Sequence, residues 1–175
     1  FMPYTTIRDN RSNGKVGDFL KETISEDSSV SIVSAYFTIY AYNQLKENLD
    51  KIKDLRFLFG EPTFIKAMDT NKSPREFKIE DDKLVIPVEN RLSQKRIARE
   101  CADWIRHKVE IRSMVKPNFL HGKLYHITQK AGIEKAIAGS SNFTVNGLGF
   151  GSNSNMELNL IIDSDRERKE IHEWF

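Results

Sequence analysis

Three strand patterns follow one another in the stretch FLHGKLYHITQKAGIEKAIAGSSNFTVNGLGFGSNSNMELNLIID, residues 119–163. Residues 119–127, 133–139 and 155–163 each carry alternating or β-branched apolar residues and are separated by turn residues. In the last segment, one strand face would carry Met156, Leu158, Leu160 and Ile162. Three strand patterns in succession predict that this half of the chain contributes consecutive strands to one sheet.

The preceding half alternates helix and strand patterns. Apolar spacing predicts helices at 16–24, 40–52 and 91–108, the first with Asn13 as candidate N-cap. Strands are predicted at 29–37, 55–60 and 109–115. Residues 61–90 contain three prolines, many charges and little periodicity, which predicts an irregular excursion from the core. The whole pattern predicts an α/β fold with a mixed β-sheet flanked by helices on both faces.

Composition excludes several classes of protein. The 175 residues carry 27 Lys+Arg and 25 Asp+Glu, a net charge of +2, so the chain is not a general polyanion coat. An apolar fraction of 39% excludes general disorder, and no long apolar run predicts a membrane span. Cys101 is the single cysteine, which excludes an intrachain disulfide and a cysteine-rich metal site. We expect a cytoplasmic protein with no membrane partner.

The two ends suggest a piece of a longer polypeptide. Phe1 precedes Met2, and we interpret Phe1 as a remnant of a tag and Met2 as the natural start. Near the other end Ser164 is a candidate helix N-cap, and an apolar stripe has just begun when the sequence ends at Phe175. We therefore expect residues 1–175 to be one domain, the N-terminal part of a larger protein.

Five polar residues are candidates for chemistry: His121, Lys123, Ser140, Asn142 and Glu157. The strand period of two places His121 and Lys123 on one face of a predicted strand. Ser140 and Asn142 follow the next strand, and Glu157 lies early on the last. If these strands are neighbours, the five residues converge at one end of the sheet.

Such a set is suited to phosphoryl transfer. A neutral imidazole is a nucleophile when a carboxylate accepts its other N–H, as His121 and Glu157 would allow. Lys123 would stabilise charge on the non-bridging oxygens, and Ser140 and Asn142 would add neutral donors. We therefore expect no metal and no cofactor. The other histidines, at 107, 126 and 172, show no zinc-ligand spacing.

These residues resemble the signature of the phospholipase D superfamily. That signature is His-x-Lys, then Asp after four residues, then Gly-Ser-x-Asn and a later Glu. Gly139, the five candidate residues and the segments around them resemble the single-motif bacterial nucleases of this superfamily, except that Thr128 replaces the motif Asp.

The resemblance implies a phospholipase D-like domain that acts as a metal-independent endonuclease. His121 would form a phosphohistidine, Glu157 would orient it, and a second copy of the chain would supply the other histidine, so a homodimer is implied. The expected substrate is nucleic acid, DNA rather than RNA. The resemblance extends to N-terminal modules of helicase and restriction-type proteins, which implies an ATPase or helicase domain C-terminal to this one.

Other interpretations stay open. Thr128 favours a non-catalytic DNA-binding or dimerisation module of a DNA helicase, and a lipid phosphodiesterase is the least favoured option. Residues 146–155 lack phosphate-loop spacing and are predicted as a flexible rim near the site. The basic face of helix 91–108 fits a solvated surface better than a DNA groove. Tyr36, Phe37 and Tyr40 fit core packing better than base stacking.

Overall fold

The computed structural model describes residues 5–60, 88–116, 119–152 and 154–175. Within them, seven strands form one sheet: β1 Ile7–Arg8, β2 Ser29–Ser34, β3 Asp54–Phe59, β4 Val109–Ser113, β5 Lys123–Thr128, β6 Glu134–Gly139 and β7 Asn159–Ile162. The described helices are α1 Val16–Thr23, α2 Ile39–Leu49, α3 Val88–Lys108 and α4 Asp165–Trp174. None of these helices has the length and apolarity needed to cross a membrane.

The strand order across the sheet is β1-β7-β6-β5-β2-β3-β4. Strands β2, β3 and β4 are parallel, whereas β5, β6, β7 and β1 pair antiparallel. The predicted mixed α/β sheet is confirmed. Because of these directions, the carboxyl ends of β2, β3 and β6 lie at the same end of the sheet as the amino ends of β5 and β7.

One sheet face forms the hydrophobic core under α1, α2 and α3. Leu45 and Leu49 of α2 are fully buried, and burial of each such side chain contributes about 1.5–3 kcal/mol. Trp104 of α3 packs on Tyr42 with ring centroids 5.0 Å apart. Its Nε1 also donates to the Leu49 carbonyl at 3.1 Å, so its one polar atom is satisfied inside the core.

The opposite sheet face carries α4. Two contacts locate this helix: the His172 ring lies 5.4 Å from that of His126 on β5, and Arg56 of β3 stacks over the Phe175 ring at 5.2 Å. Ser164 caps α4 as predicted, accepting from the Glu167 N–H at 3.3 Å. The prediction of helices on both faces is therefore confirmed.

Several predicted boundaries are wrong. Helix α3 begins at Val88, three residues inside the predicted excursion 61–90, of which residues 61–87 lie outside the described part. Leu92, predicted on the apolar face of this helix, is 69% exposed. Strand β1 was not predicted, because two residues are too few to show a period.

The cap predicted for α1 is also wrong. The side chain of Asn13 donates to Asp9 at 2.7 Å instead of capping the helix. Asn10, six residues before the helix, provides the cap instead, because its Oδ1 accepts from the Val16 N–H at 3.0 Å. Its amide group donates to the Gly147 carbonyl at 2.8 Å, so the start of α1 is tied to the distant 146–152 segment.

Candidate active site

The predicted residues lie where three neighbouring strands begin or end. Lys123 opens β5 and pairs with Gly139, which closes β6 and pairs with Asn159, the first residue of β7. The segments that carry the five candidate side chains enter or leave the strands at this end. The prediction that the last three strands are neighbours in the sheet is therefore confirmed.

His121 lies outside the strand that was predicted to hold it, because β5 begins only at Lys123. The His121 side chain is exposed, and its carbonyl accepts from Lys123 Nζ at 2.8 Å. A Cβ placed on Gly122 would meet no atom within 4 Å, so the surface at Gly122 is open. A Cβ on Gly60 would lie 2.4 Å from the Leu120 carbonyl oxygen, so glycine there lets this segment approach the end of β3.

Glu157 precedes β7 and is held by Ser140. The Ser140 hydroxyl donates a short hydrogen bond to Glu157 Oε2 and accepts from the Leu158 N–H at 3.0 Å. The Ser140 N–H donates to the Leu158 carbonyl at 3.1 Å, which fixes the two segments together. Orientation of His121 by Glu157 therefore stays a prediction, since this carboxylate accepts from Ser140.

Asn142 binds the end of β2, which β5 separates from β6 in the sheet. Its Oδ1 accepts from the Ala35 N–H at 3.1 Å and lies 3.1 Å from the Ser34 hydroxyl. Ser34 is fully buried and also accepts from the Phe143 N–H at 3.0 Å. Because these contacts occupy the carbonyl oxygen of Asn142, its NH₂ group is the part that can donate to a substrate.

Asn159 supports the site and was not predicted. It is 2% exposed, accepts from the Ser141 N–H at 3.1 Å, and donates to Ser141 Oγ at 2.9 Å and to the Arg8 carbonyl at 3.1 Å. It falls between Leu158 and Leu160 in the alternating pattern, where a polar residue indicates a solvent-facing position. The local pattern therefore contained no signal that this residue is buried.

Tyr125 lies below the site rather than on its surface. The side chain is 1% exposed, and its hydroxyl donates to the Ser141 carbonyl at 2.8 Å. Burial raises the pKa of this phenol well above its usual value, and the negative charge of Glu157 adds to that rise. Tyr125 therefore stays neutral and holds the loop after β6 in place.

Thr128, at the position of the missing motif Asp, lies at the far end of β5. Five residues along a strand from Lys123 correspond to about 17 Å. Alternation turns Thr128 to the α4 face, and its pairing partners in the sheet are Glu134 on β6 and Ser29 on β2. A side chain at this position is too remote to contact atoms that react near His121.

The prediction of a flexible rim at residues 146–155 is wrong for its first part. Gly147, Leu148 and Gly149 are buried, and the Leu148 carbonyl accepts from the Gly17 N–H at 2.8 Å. A Cβ on Gly17 would lie 2.2 Å from the Phe150 ring, so this segment packs directly on α1. It supports the site from below.

The aromatic and basic candidates separate by position. Phe37 stacks on Phe143 with centroids 5.2 Å apart, as predicted for core packing, but Tyr36 is 62% exposed next to the Ser34–Asn142 contact. On α3, Lys108 Nζ donates to carbonyls at the end of α2, at the opposite end of the sheet from His121. Burial raises the pKa of the Cys101 thiol to about 12, which agrees with its predicted core position.

Comparisons with known proteins show a family. The model of a family described as "Cardiolipin synthase, PLD-like domain" matches residues 20–175. Among solved structures, a mutant of yeast tyrosyl-DNA phosphodiesterase 1 superposes with a TM-score of 0.45 and 16% identity. The superposition covers 81% of this chain and 27% of that one, so the match spans about a quarter of the yeast chain. No curated protein matches the sequence.

Proposed function

The chain belongs to the family of phospholipase D-like domains, and from this premise we propose that it is a metal-independent phosphodiesterase acting on nucleic acid. The observation that carries the proposal is the arrangement at one sheet end. An exposed imidazole, an adjacent ammonium and a hydroxyl–carboxylate pair occupy segments that neighbouring strands bring together. The His121 side chain is exposed, so a bulky substrate can reach it.

In the proposed first step, a ring nitrogen of His121 attacks phosphorus. A nitrogen–phosphorus bond forms as the bond from phosphorus to the leaving oxygen breaks, and a second histidine donates the proton that this oxygen requires. Water then attacks the phosphohistidine, gives up a proton to the same second histidine, and frees His121. Lys123 and the NH₂ group of Asn142 would stabilise negative charge on the non-bridging oxygens.

The Ser140–Glu157 pair has a defined place in this scheme. The Ser140 hydroxyl donates its hydrogen bond to the Glu157 carboxylate, so in this arrangement it cannot donate to a phosphate. Binding of substrate would require either that Ser140 turn toward the phosphate oxygens or that Glu157 turn toward His121. We propose the second movement, because it would complete the nucleophile–carboxylate pair and release Ser140 as a donor.

A second copy of the chain would supply the second histidine. An exposed apolar surface, the edge patch, flanks Glu157 and consists of Ile7, Met156, Leu158 and Leu160. Met156 is 75% and Leu158 68% exposed, and Ile7 pairs with Leu160 across β1 and β7. Apolar side chains grouped in this way are typical of an interaction surface. We propose that two edge patches meet and bring both His121 residues into one site.

Tyr36 supports nucleic acid as the substrate class. Its ring is 62% exposed beside the segment that holds Asn142, so a base next to the bound phosphate can stack on it. The preference for DNA and the association with a helicase or restriction-type protein follow from the resemblance alone and stay predictions.

The second candidate is a DNA-binding or dimerisation module without catalysis. Thr128 in place of the motif Asp favours it. The distance of about 17 Å between the two ends of β5 weakens that argument, since a change at Thr128 acts on the α4 face of the sheet.

The deciding experiment is cleavage of end-labelled single- and double-stranded DNA in excess EDTA. Three proteins are compared: the unmodified chain, His121→Ala, and His107→Ala as a matched control on an exposed helix surface. We expect EDTA-resistant cleavage that His121→Ala lowers at least about 10³-fold and His107→Ala leaves unchanged. Quenching in SDS at alkaline pH, where a nitrogen–phosphorus bond is stable, should trap the label on the unmodified chain and not on His121→Ala. Binding without cleavage by all three proteins would refute the enzyme and support the binding module.

Dimerisation is tested separately with Leu158→Glu, which places a charge in the edge patch. Sedimentation should show a dimer for the unmodified chain and a monomer for the variant, with parallel loss of cleavage. An active monomer would refute the two-copy site, and the His121 assignment would survive.

A further inference from the structure

Two histidines and a glutamate meet on the α4 face of the sheet, away from the candidate active site. His126 comes from β5, Glu134 from β6 and His172 from α4, and their potential ligand atoms all lie within 4.8 Å of one another. His126 Nε2 and His172 Nδ1 are each 3.6 Å from Glu134 Oε1. The mechanism proposed above uses none of these residues.

The two distances are unusual for hydrogen bonds and suited to a shared ion. A hydrogen bond between nitrogen and oxygen spans about 2.7–3.2 Å, so neither contact qualifies. Two ligand atoms at zinc distances of about 2.0–2.2 Å in tetrahedral geometry lie about 3.3–3.6 Å apart. Two of the three ligand-to-ligand distances therefore match those around a single metal ion, and the two imidazole nitrogens lie within 4.8 Å of each other.

His126 provides the independent observation. The residue is 1% exposed, yet among the described residues its Nε2 has no hydrogen-bond partner. Burying a polar atom without a partner costs free energy, and a bound ion would give this nitrogen a partner.

The surroundings set the expected strength of binding. The guanidinium groups of Arg56 and Arg168 act on the His126 ring with positive charge, whereas Glu134 contributes one negative charge. Arg56 donates to the Ser31 hydroxyl at 2.8 Å and stacks over the Phe175 ring. Its guanidinium group therefore also interacts with groups other than His126. A neutral or anionic fourth ligand can enter from solvent, since the His172 side chain is 46% exposed.

We propose that His126, Glu134 and His172 bind a divalent transition-metal ion, with Zn²⁺ the best match, and that this ion fastens α4 to the sheet. Two imidazoles and one carboxylate are the donors that zinc accepts, and the open fourth position suits water. The expectation of no zinc site rested on spacing along the chain, and the three residues are brought together only by strand pairing and the docking of α4. The site is structural and separate from the metal-independent reaction proposed above.

The test uses the complete chain without a histidine tag, stripped with EDTA and then dialysed. Titration with Co²⁺ should produce the visible absorption bands of a tetrahedral Co²⁺ centre, and Zn²⁺ should displace them. Zn²⁺ at a hundred times its Kd should raise Tm by about 5–10 °C. His172→Ala and Glu134→Gln, both at accessible positions, should abolish these signals, and His107→Ala should retain them.

Absence of the Co²⁺ bands and of a Tm shift in the unmodified chain would overturn the proposal. The same follows if His172→Ala and Glu134→Gln, each shown by circular dichroism to be folded, bind the metal as well as the unmodified chain does. These outcomes are independent of the cleavage assay, which is carried out in EDTA and reports on His121.

Discussion

Gly139 and Gly122 both lie in the candidate site, but the structure predicts that a methyl group added at Gly139 lowers the stability of the fold, whereas one added at Gly122 does not. A Cβ on Gly139 would lie 2.2 Å from the Leu158 carbonyl oxygen and 2.6 Å from Asn159 Cα. Both atoms belong to the backbone of the neighbouring segment, so no side chain can rotate away. The Gly139→Ala substitution must therefore separate β6 from β7.

The magnitude follows from the cost of overpacking. Inserting a methyl group into a filled site costs about 1–3 kcal/mol, and a clash with backbone belongs at the upper end. In a chain of this size each kcal/mol lowers Tm by about 2–4 °C, so we expect a loss of about 6–12 °C for Gly139→Ala. Cleavage should fall as well, because Ser140 follows Gly139 directly.

Gly122→Ala is the matched control. No atom lies within 4 Å of its would-be Cβ, and a substitution in open space changes stability by about 0.5 kcal/mol or less. Thermal melts followed by circular dichroism should place this variant within about 2 °C of the unmodified chain. Equal Tm values for Gly139→Ala and the unmodified chain would refute the close approach of β6 and β7.

Three further predictions concern residues around the site and the α4 face. The folded pKa of His126, about 4, lies below its unfolded value of about 6.5, so the unfolded chain binds the proton more readily. About 3 kcal/mol of stability, full above pH 6.5, should be lost as the pH falls to 4; urea unfolding in EDTA would show this loss, and His126→Gln should lack it. Asn159→Ala leaves Ser141 and the Arg8 carbonyl without buried partners and should cost about 2–3 kcal/mol, measured by urea unfolding; a loss below 0.5 kcal/mol would contradict the assigned network. Tyr36→Ala removes an exposed ring and should weaken single-stranded DNA binding by about 5- to 150-fold with Tm unchanged, and equal affinity in fluorescence anisotropy would exclude stacking.

Much of the architecture was predictable because it depends on short-range patterns. A period of two predicted strands close to β2, β5 and β6, and a period near 3.6 predicted α1, α2 and most of α3. Errors occurred where tertiary contacts override the pattern. The apolar alternation of residues 155–163 suggested one long strand, but pairing begins only at Asn159, and Met156 and Leu158 stay exposed.

The order of His121, Lys123, Ser140, Asn142 and Glu157 along the chain was sufficient to indicate a phospholipase D-like domain, because the chemistry constrains which residues stand at which spacing. The partners of these side chains were decided only by the tertiary structure. Glu157 is bonded to Ser140, the carbonyl of Asn142 holds the end of β2, and buried Asn159 closes the loop after β6.

The grouping of His126, Glu134 and His172 likewise exists only in the folded chain. The physical reason is that such contacts join residues far apart in the sequence, 107 positions in the case of Ala35 and Asn142. Local periodicity reports the face on which a residue lies, whereas strand order and helix docking determine what that face meets.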